Sequence, residues 1–422
     1  MAPALDTKFV RKGLVLVFIT LLLDIIGIAI IVPVMPEYLS QLTGDDISKA
    51  SVDGGILLMV YSTMQFLFAP FIGNLSDRFG RRPILLLSII TFALDNLICA
   101  VAWSYSMLFI GRILAGISGA SFSTCSAYLA DISDDKTRTR NFGLIGIAFG
   151  VGFLLGPLIG GILGEWGPRL PFYFSAGLSF INFLFAMFML PETLEPSLRR
   201  RFDIKRANPL GAVMQLRHYP TVLWVSLAFF LYWLAEAVWP STLAFVAKER
   251  YNWSEFSIGF AYAVFGVGQS LVMGILLPYI AKRWSNWRIS MVGLCFALVG
   301  MVGYTFAIEG WMIYAVFAFT MPEYIAHVPM RSIASAQVPA NAQGELQGAL
   351  TSLTSITSMI GPVFYTSFFS YFTSDNAPFK FLGAPYAAAF FVLLAATLVF
   401  AFCVREDKKP NCKTLLDTAK DK

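Results

Sequence analysis

Twelve apolar stretches, each close to the ~20 residues a helix needs to cross the hydrocarbon core of a bilayer, run at about 14–36, 54–73, 83–103, 106–130, 141–164, 170–190, 220–246, 256–280, 289–308, 311–333, 346–371 and 383–404. Nothing else in the sequence limits the fold as tightly. A backbone in lipid must satisfy its own hydrogen bonds, and only helices and closed barrels do so. Apolar runs of this length read as helices, so the expected fold is an all-α membrane protein with twelve transmembrane helices. Of the 422 residues, 57% are hydrophobic and 14% charged, too few charges to clothe a soluble chain of this length.

The formal charge of +5 is no nucleic-acid signature, because the basic residues sit in loops rather than along a face. With both termini on one side, that side holds 24 Lys and Arg, in Lys8–Lys12, Arg78–Arg82, Lys136–Arg140, Arg199–Arg217, Lys282–Arg288 and Arg405–Lys422. The opposite side holds five, Lys49, Arg169, Lys248, Arg250 and Lys380, while Arg112 and Arg331 fall inside spans. The positive-inside rule then puts both termini in the cytoplasm. The first apolar run contains Asp24 and is followed by Pro33 and Pro36 without a small-x-small site, so it reads as an uncleaved first span. The five cysteines have no paired spacing, and neither a disulfide framework nor a zinc site is expected.

The longest polar stretch separates spans six and seven. It divides the chain into an N-terminal six-helix bundle (1–190), a cytoplasmic linker (191–219), a C-terminal six-helix bundle (220–404) and a basic cytoplasmic tail (405–422). A shift of 205 residues superposes Arg78-Phe79 on Arg283-Trp284, Gly143 on Gly348 and Gly156-Pro157 on Gly361-Pro362. Three separated matches at one offset point to two six-helix pseudo-repeats; the competing explanation is chance alignment of Gly-rich helices.

Between spans two and three lies Gly73-Asn74-Leu75-Ser76-Asp77-Arg78-Phe79-Gly80-Arg81-Arg82-Pro83. Its glycines permit positive φ and Pro83 suits the first turn of the next helix. Asp77 among three arginines is suited to a charge-assisted lock that breaks and re-forms as helices move; equally, Arg78, Arg81 and Arg82 could do no more than set topology. The full pattern resembles the signature loop of the major facilitator superfamily. Leu22 to Pro36, Pro83 to Asp95, Gly111 to Ala120, Ala130-Asp131 and Gly152 to Gly161, the last similar to the antiporter motif, resemble the tetracycline-resistance (TCR/Tet) family of drug:proton antiporters. Gln343 to Leu350 and Gly361-Pro362 extend the likeness into the second half.

That resemblance implies a major facilitator fold in a bacterial inner membrane, with a central cavity between halves. It also implies proton coupling through the matched Asp24, Asp95 and Arg112, and gating by Gly73, Asp77, Arg78, Gly80, Arg81, Arg82, Asp131, Gly156 and Pro157. Position alone reaches the same three coupling residues. Asp24 and Asp95 lie about ten and twelve residues into their helices, ~15–18 Å from the basic side, and a carboxylate at that depth is costly unless protonated, paired or facing water. A carboxylate that alternately meets and loses Arg112 can take up and release a proton in each cycle; a fixed structural pair with Arg112 is the other reading.

Where the tetracycline exporters carry a histidine in span eight and an aspartate in span nine, this chain has Gln269 and Ala297. It has instead Glu236 deep in span seven, and Glu323, His327 and Arg331 at i, i+4 and i+8 in span ten, between Pro322 and Pro329. Glu236, Gln269, Glu323, His327 and Arg331 are therefore the candidate substrate-binding residues, with Arg331 as anchor and Glu323 or His327 titrating. The bland alternative for the stripe is local i to i+4 pairing, with Arg331 reaching water. Aromatic Phe229, Phe230, Trp233 and Trp239 can wall a drug-sized site or simply belong to lipid-facing surface.

No Gly-x-Ser-x-Gly, His-Glu-x-x-His or nucleotide-binding loop is present, which argues against an enzyme or an ATP-driven pump. The expectation is a proton-coupled secondary transporter exporting a small amphipathic, tetracycline-like compound by alternating access. The alternative is a proton-coupled transporter of a native zwitterionic or anionic metabolite. No cofactor is expected beyond the proton gradient, although the substrate could travel as its divalent-cation complex. The partners are the small-molecule substrate, protons and the bilayer, with no nucleic acid, and the chain is expected to work as a monomer.

Overall fold

The computed structural model describes residues 7–119, 122–133, 137–200, 220–339 and 343–404. The basic tail and residues 201–219 of the expected linker lie outside the described residues. Among the described residues the chain is helical and has no strand.

Ten helices are long and apolar enough to cross a membrane: Gly13–Thr43, Ile47–Phe79, Arg81–Ala100, Tyr105–Asp131, Asn141–Gly164, Leu170–Met189, Val222–Tyr251, Glu255–Ile280, Asn286–Phe306 and Ala384–Cys403. These are spans one to nine and twelve. Span ten is broken into Gly310–Thr320, a 3-10 turn Met321–Ile325 and His327–Ala336, because Pro322 cannot donate to the helical ladder. Span eleven, Gln343–Thr373, is one helix whose ten Ser and Thr residues lower its hydropathy. Many of their hydroxyls bond back to the preceding turn, as Thr357 does to Thr354 and Thr366 to Pro362, each at 2.7 Å. Asp46, Ser254 and Ser285 accept the backbone N–H three residues on and so start spans two, eight and nine.

Within the first half, span three packs on six, one on five and two on four; within the second, span twelve packs on seven and nine, and seven on eleven. The halves meet through two related contacts, five on eight and two on eleven. Each places a glycine against the carbonyl of a proline. A Cβ on Gly55 would lie 2.9 Å from the Pro362 carbonyl oxygen, and one on Gly259 would overlap the Pro157 carbonyl oxygen. Gly156 likewise lies on Ala29 and Gly361 on Ala237. The two glycine–proline contacts are related by the sequence offset to within one residue, so the repeat is also a repeat of packing. Only glycine permits such close backbone approach.

The two ends of the inter-half contact differ. At the end opposite the basic loops, the Ser51 hydroxyl donates to the Thr366 carbonyl (3.4 Å), Ser48 and Thr373 hydroxyls meet, and Gly161 lies against the Glu255 backbone. Moving along the same face of span five toward the basic end, among the described residues Gly150 has only Ser270 Oγ at 3.7 Å, and Gly146 and Gly143 have no neighbour within 4 Å. The bundle is closed at one end and open toward its basic loops.

Candidate functional site

In the first half, spans one, three and four bring Asp24 and Arg112 each within coulombic range of Asp95, and all three within range of Tyr61 on span two. Asp95 is fully buried, and its Oδ1 accepts from Asn96 Nδ2 at 2.7 Å while Oδ2 has no partner. Asp24 Oδ1 is also buried without a partner. The buried Arg112 donates to Cys99 Sγ at 3.3 Å rather than locking a carboxylate. Glycines make this closeness possible: a Cβ on Gly116 would lie 2.5 Å from the Tyr61 carbonyl oxygen. Two carboxyls and one guanidinium, short of partners in an apolar interior, are suited to exchanging a proton rather than to static pairing.

In the second half, span ten runs along span seven as a ladder. Arg331 lies over the Phe229 ring, 5.2 Å from its centroid. His327 stacks on Tyr232 (6.1 Å) and meets Trp233 edge-on (5.3 Å). Glu323 and Glu236 lie within coulombic range of each other. Both oxygens of Glu323, Oε1 of Glu236, Nδ1 of His327 and Nε of Arg331 are buried without hydrogen-bond partners. Local i to i+4 pairing along the stripe, one of the two sequence readings, does not occur; the turn at Met321–Ile325 and the aromatic face of span seven separate the charges. Gln269 is exposed, unlike the buried Glu236 and Glu323.

At the basic turn, Gly80 has φ +105°, reversing the chain so that Arg81 points back into the bundle. Arg81 Nη1 donates to Asp77 Oδ1 (2.6 Å) and Ser76 Oγ (2.7 Å), and its Nε to Asp131 Oδ2 (3.1 Å). Arg82 donates to the Met187 carbonyl at 2.6 Å. Arg78 stays outside this cluster, exposed and stacked on Phe79. Gly73 is near Ser123 Oγ alone (3.7 Å), whereas Gly156 and Pro157 lie at the span-one and span-eight contacts already described.

Two groups of residues escaped the sequence reading. Glu192, assigned there only to the linker, caps span three: Oε1 accepts from Arg81, Thr193 and Leu194 N–H (2.9, 3.0 and 3.0 Å) and Oε2 from Arg82 N–H (3.2 Å). An acid directly following span six was the available signal. The closed end carries an ionic contact between halves, Lys248 with Glu255 (2.7 Å) and Glu37 (3.5 Å). Beside it, Glu165 Oε1 accepts from Phe256 N–H at 3.2 Å. The Ser254 hydroxyl and then this N–H hold the Glu165 carboxyl below its ordinary range. Among the described residues no cluster has the make-up of a metal site.

The model of the Major Facilitator Superfamily matches residues 17–362. The chain is 35% identical to the class C tetracycline resistance protein of Escherichia coli, over 85% of this chain and 90% of that one. It is 32% identical to the class H tetracycline resistance protein of Pasteurella multocida, over 86% and 90%. The fold matches, with a TM-score of 0.78 and 16% identity, the crystal structure of a bacterial homologue of the human lysosomal transporter Spinster in an inward-facing, unoccupied conformation, covering 95% of this chain and 98% of that one.

Proposed function

This chain belongs to the major facilitator superfamily and, within it, to the family of the tetracycline resistance proteins, and we propose that it protects a cell by carrying tetracycline-like compounds outward. It is an integral membrane protein, a proton-coupled secondary transporter of a small molecule and not an enzyme. The metabolite alternative is not favoured, since the relatives at 30–35% identity are tetracycline resistance proteins.

The observation that carries the mechanism is the set of buried, underpartnered carboxyls beside Arg112 in a bundle open at one end. In our reading the open end faces the cytoplasm of a bacterial inner membrane, as the bias of basic residues toward that side requires. Both termini are then cytoplasmic, and a monomer suffices. The halves 1–190 and 220–404 rock about spans two, five, eight and eleven, with 191–219 as tether. Drug, as its divalent-cation complex, enters the open cleft. Asp24 or Asp95 releases a proton to that cleft as Arg112 compensates the remaining charge, and takes one up again when the closed end opens. Gly156, Pro157 and the Asp77–Arg81–Asp131 cluster act as hinge and lock. Along the other wall, Arg331, His327 and Glu236 line the substrate's path with Glu323 and, where the cleft widens, Gln269.

Proteoliposomes containing a trapped pH dye test this. Adding tetracycline with Mg²⁺ is expected to move protons in the wild type and to move none in Asp24→Asn. Silence of the wild type to tetracycline would overturn the substrate, and proton movement undiminished in Asp24→Asn and in Asp95→Asn would overturn the coupling site.

A further inference from the structure

We propose that Tyr38 and Cys99 are positioning residues for the Arg112 guanidinium: together they hold it on the Cys99 sulfur, one helical turn away from Asp95, while Asp95 carries its proton. The inference rests on the transport reading above, in which Arg112 compensates Asp95, and adds what keeps that compensation from coming early.

The hold is built from short contacts. Arg112 Nη2 donates to Cys99 Sγ at 3.3 Å, while Asp95 Oδ2 has no partner. Asp95 and Cys99 are four residues apart in span three, so they share one face and are separated by about 6 Å along the axis. Gly111 seats span four on that face: a Cβ there would overlap Cys99 Sγ and lie 3.5 Å from the Asp95 carbonyl oxygen. The Cys99 carbonyl in turn accepts from the Tyr38 hydroxyl at 2.5 Å. Tyr38, Cys99 and Arg112 are all buried.

Tyr38 also ties the hold to the closed end. It lies in the segment Met35–Thr43, which the 3-10 turn Val32–Val34, with Pro33, separates from the rest of span one. Its ring packs on Phe172 of span six, 5.2 Å between centroids, and the Arg169 guanidinium lies 5.6 Å from its centroid. The preceding residue, Glu37, makes the ion pair with Lys248 of the other half. Shutting that end therefore sets the Tyr38 hydroxyl, and with it the turn of span three that carries the sulfur.

A thiol is a weak acceptor, whereas a carboxylate binds a guanidinium strongly. The guanidinium thus stays on the sulfur while Asp95 is neutral and leaves it once Asp95 is ionised. No covalent bond to carbon or sulfur changes; one proton passes from Asp95 to cleft water as the guanidinium moves by about one helical turn. Without the hold, Arg112 compensates Asp95 before drug arrives. The proton is then lost early, and the empty carrier, its buried charge balanced, recrosses the membrane.

Infrared spectroscopy of the purified full chain without drug tests the contact. The thiol S–H stretching band that disappears in Cys99→Ser belongs to Cys99. It should move in Arg112→Gln and, by less, in Tyr38→Phe, which keeps the guanidinium; a band unmoved in both overturns the proposal. Proteoliposomes with a trapped pH dye and an imposed pH gradient, again without drug, test the role. The gradient should collapse about tenfold faster in Cys99→Ala than in wild type, the factor expected of one hydrogen bond to a charged group. Cys99→Ser, whose hydroxyl accepts, should stay near wild type, and adding Arg112→Gln to Cys99→Ala should abolish the leak. A leak that persists without the guanidinium is a packing defect, and that outcome, like a tight Cys99→Ala, overturns the proposal. Should the double variant fold poorly, the contrast between Cys99→Ala and Cys99→Ser decides, equal leaks counting against the hold. Neither measurement uses drug, so silence of the wild type to tetracycline would strike the substrate reading alone.

Discussion

The two halves share one packing plan yet treat their buried acids differently. In the N-terminal half Asp95 has both Arg112 and Asp24 within coulombic range. In the C-terminal half Glu236 and Glu323 lie buried within coulombic range of each other, while Arg331 lies over Phe229, about 12 Å along the helix from Glu323. Duplication therefore preserved the glycine and proline contacts that let helices approach and slide, but not the charge balance. A guanidinium allows one carboxylate to stay ionised at low cost, whereas an uncompensated pair demands a proton. The halves thus differ in whether a cation stands near their buried acids.

Removing the guanidinium should break this contrast most severely. Arg112→Gln makes the first half resemble the second, and uncovering a buried charge costs about 3–5 kcal/mol, or more than a hundredfold in rate if the loss falls on the transport step. The expected result is loss of drug export and a lower thermal-unfolding midpoint in detergent. Export within tenfold of wild type would mean that the halves do not divide labour in this way.

A second contrast lies in the two basic turns that the 205-residue shift aligns. Arg81 is buried in a cluster with Asp77, Asp131 and the Glu192-capped start of span three. Its counterpart turn has Asn286 where Arg81 stands, and its Arg283, aligned with the exposed Arg78, likewise lies exposed on an aromatic ring. Arg81→Ala should therefore destabilise the protein by about 3 kcal/mol, Glu192→Gln by about 1–2 kcal/mol as a lost helix cap, and Arg283→Ala by nothing measurable. Thermal unfolding of the three variants checks the order, and equal losses at Arg81 and Arg283 would make the turns equivalent.

The spans were legible because each needs only a run of apolar residues, and a charge within such a run stands out without knowledge of its neighbours. That is why Asp24, Asp95, Arg112, Glu236 and Glu323 could be named from sequence. Partnership was less legible. Glu192 caps a helix 110 residues earlier in the chain through backbone N–H groups, which carry no residue signature. Phe229, Tyr232 and Trp233 look like lipid-facing aromatics until span ten is laid along them. Gln269 drew attention by its alignment to a functional position, and the packing of span eight on span five leaves it exposed.

The smallest expected effect concerns the closed end, where among the described residues the halves are joined by charge. Glu165 contributes its hydrogen bonds to Phe256 N–H and Ser254 only while ionised, and its carboxyl is held below the ordinary range by them. A depressed carboxyl stabilises the bonded state fully above its unbonded value, and that contribution is lost as pH falls through the lowered one. Acid on this side therefore loosens the contact, which lies beside the ion pairs of Lys248 with Glu37 and Glu255. Glu165→Gln should flatten the acid limb of opening, followed by labelling of a cysteine introduced at the exposed Trp166, with only a modest change in export at neutral pH. A labelling profile that keeps its full acid limb in the variant would rule out Glu165 as the source of the pH response.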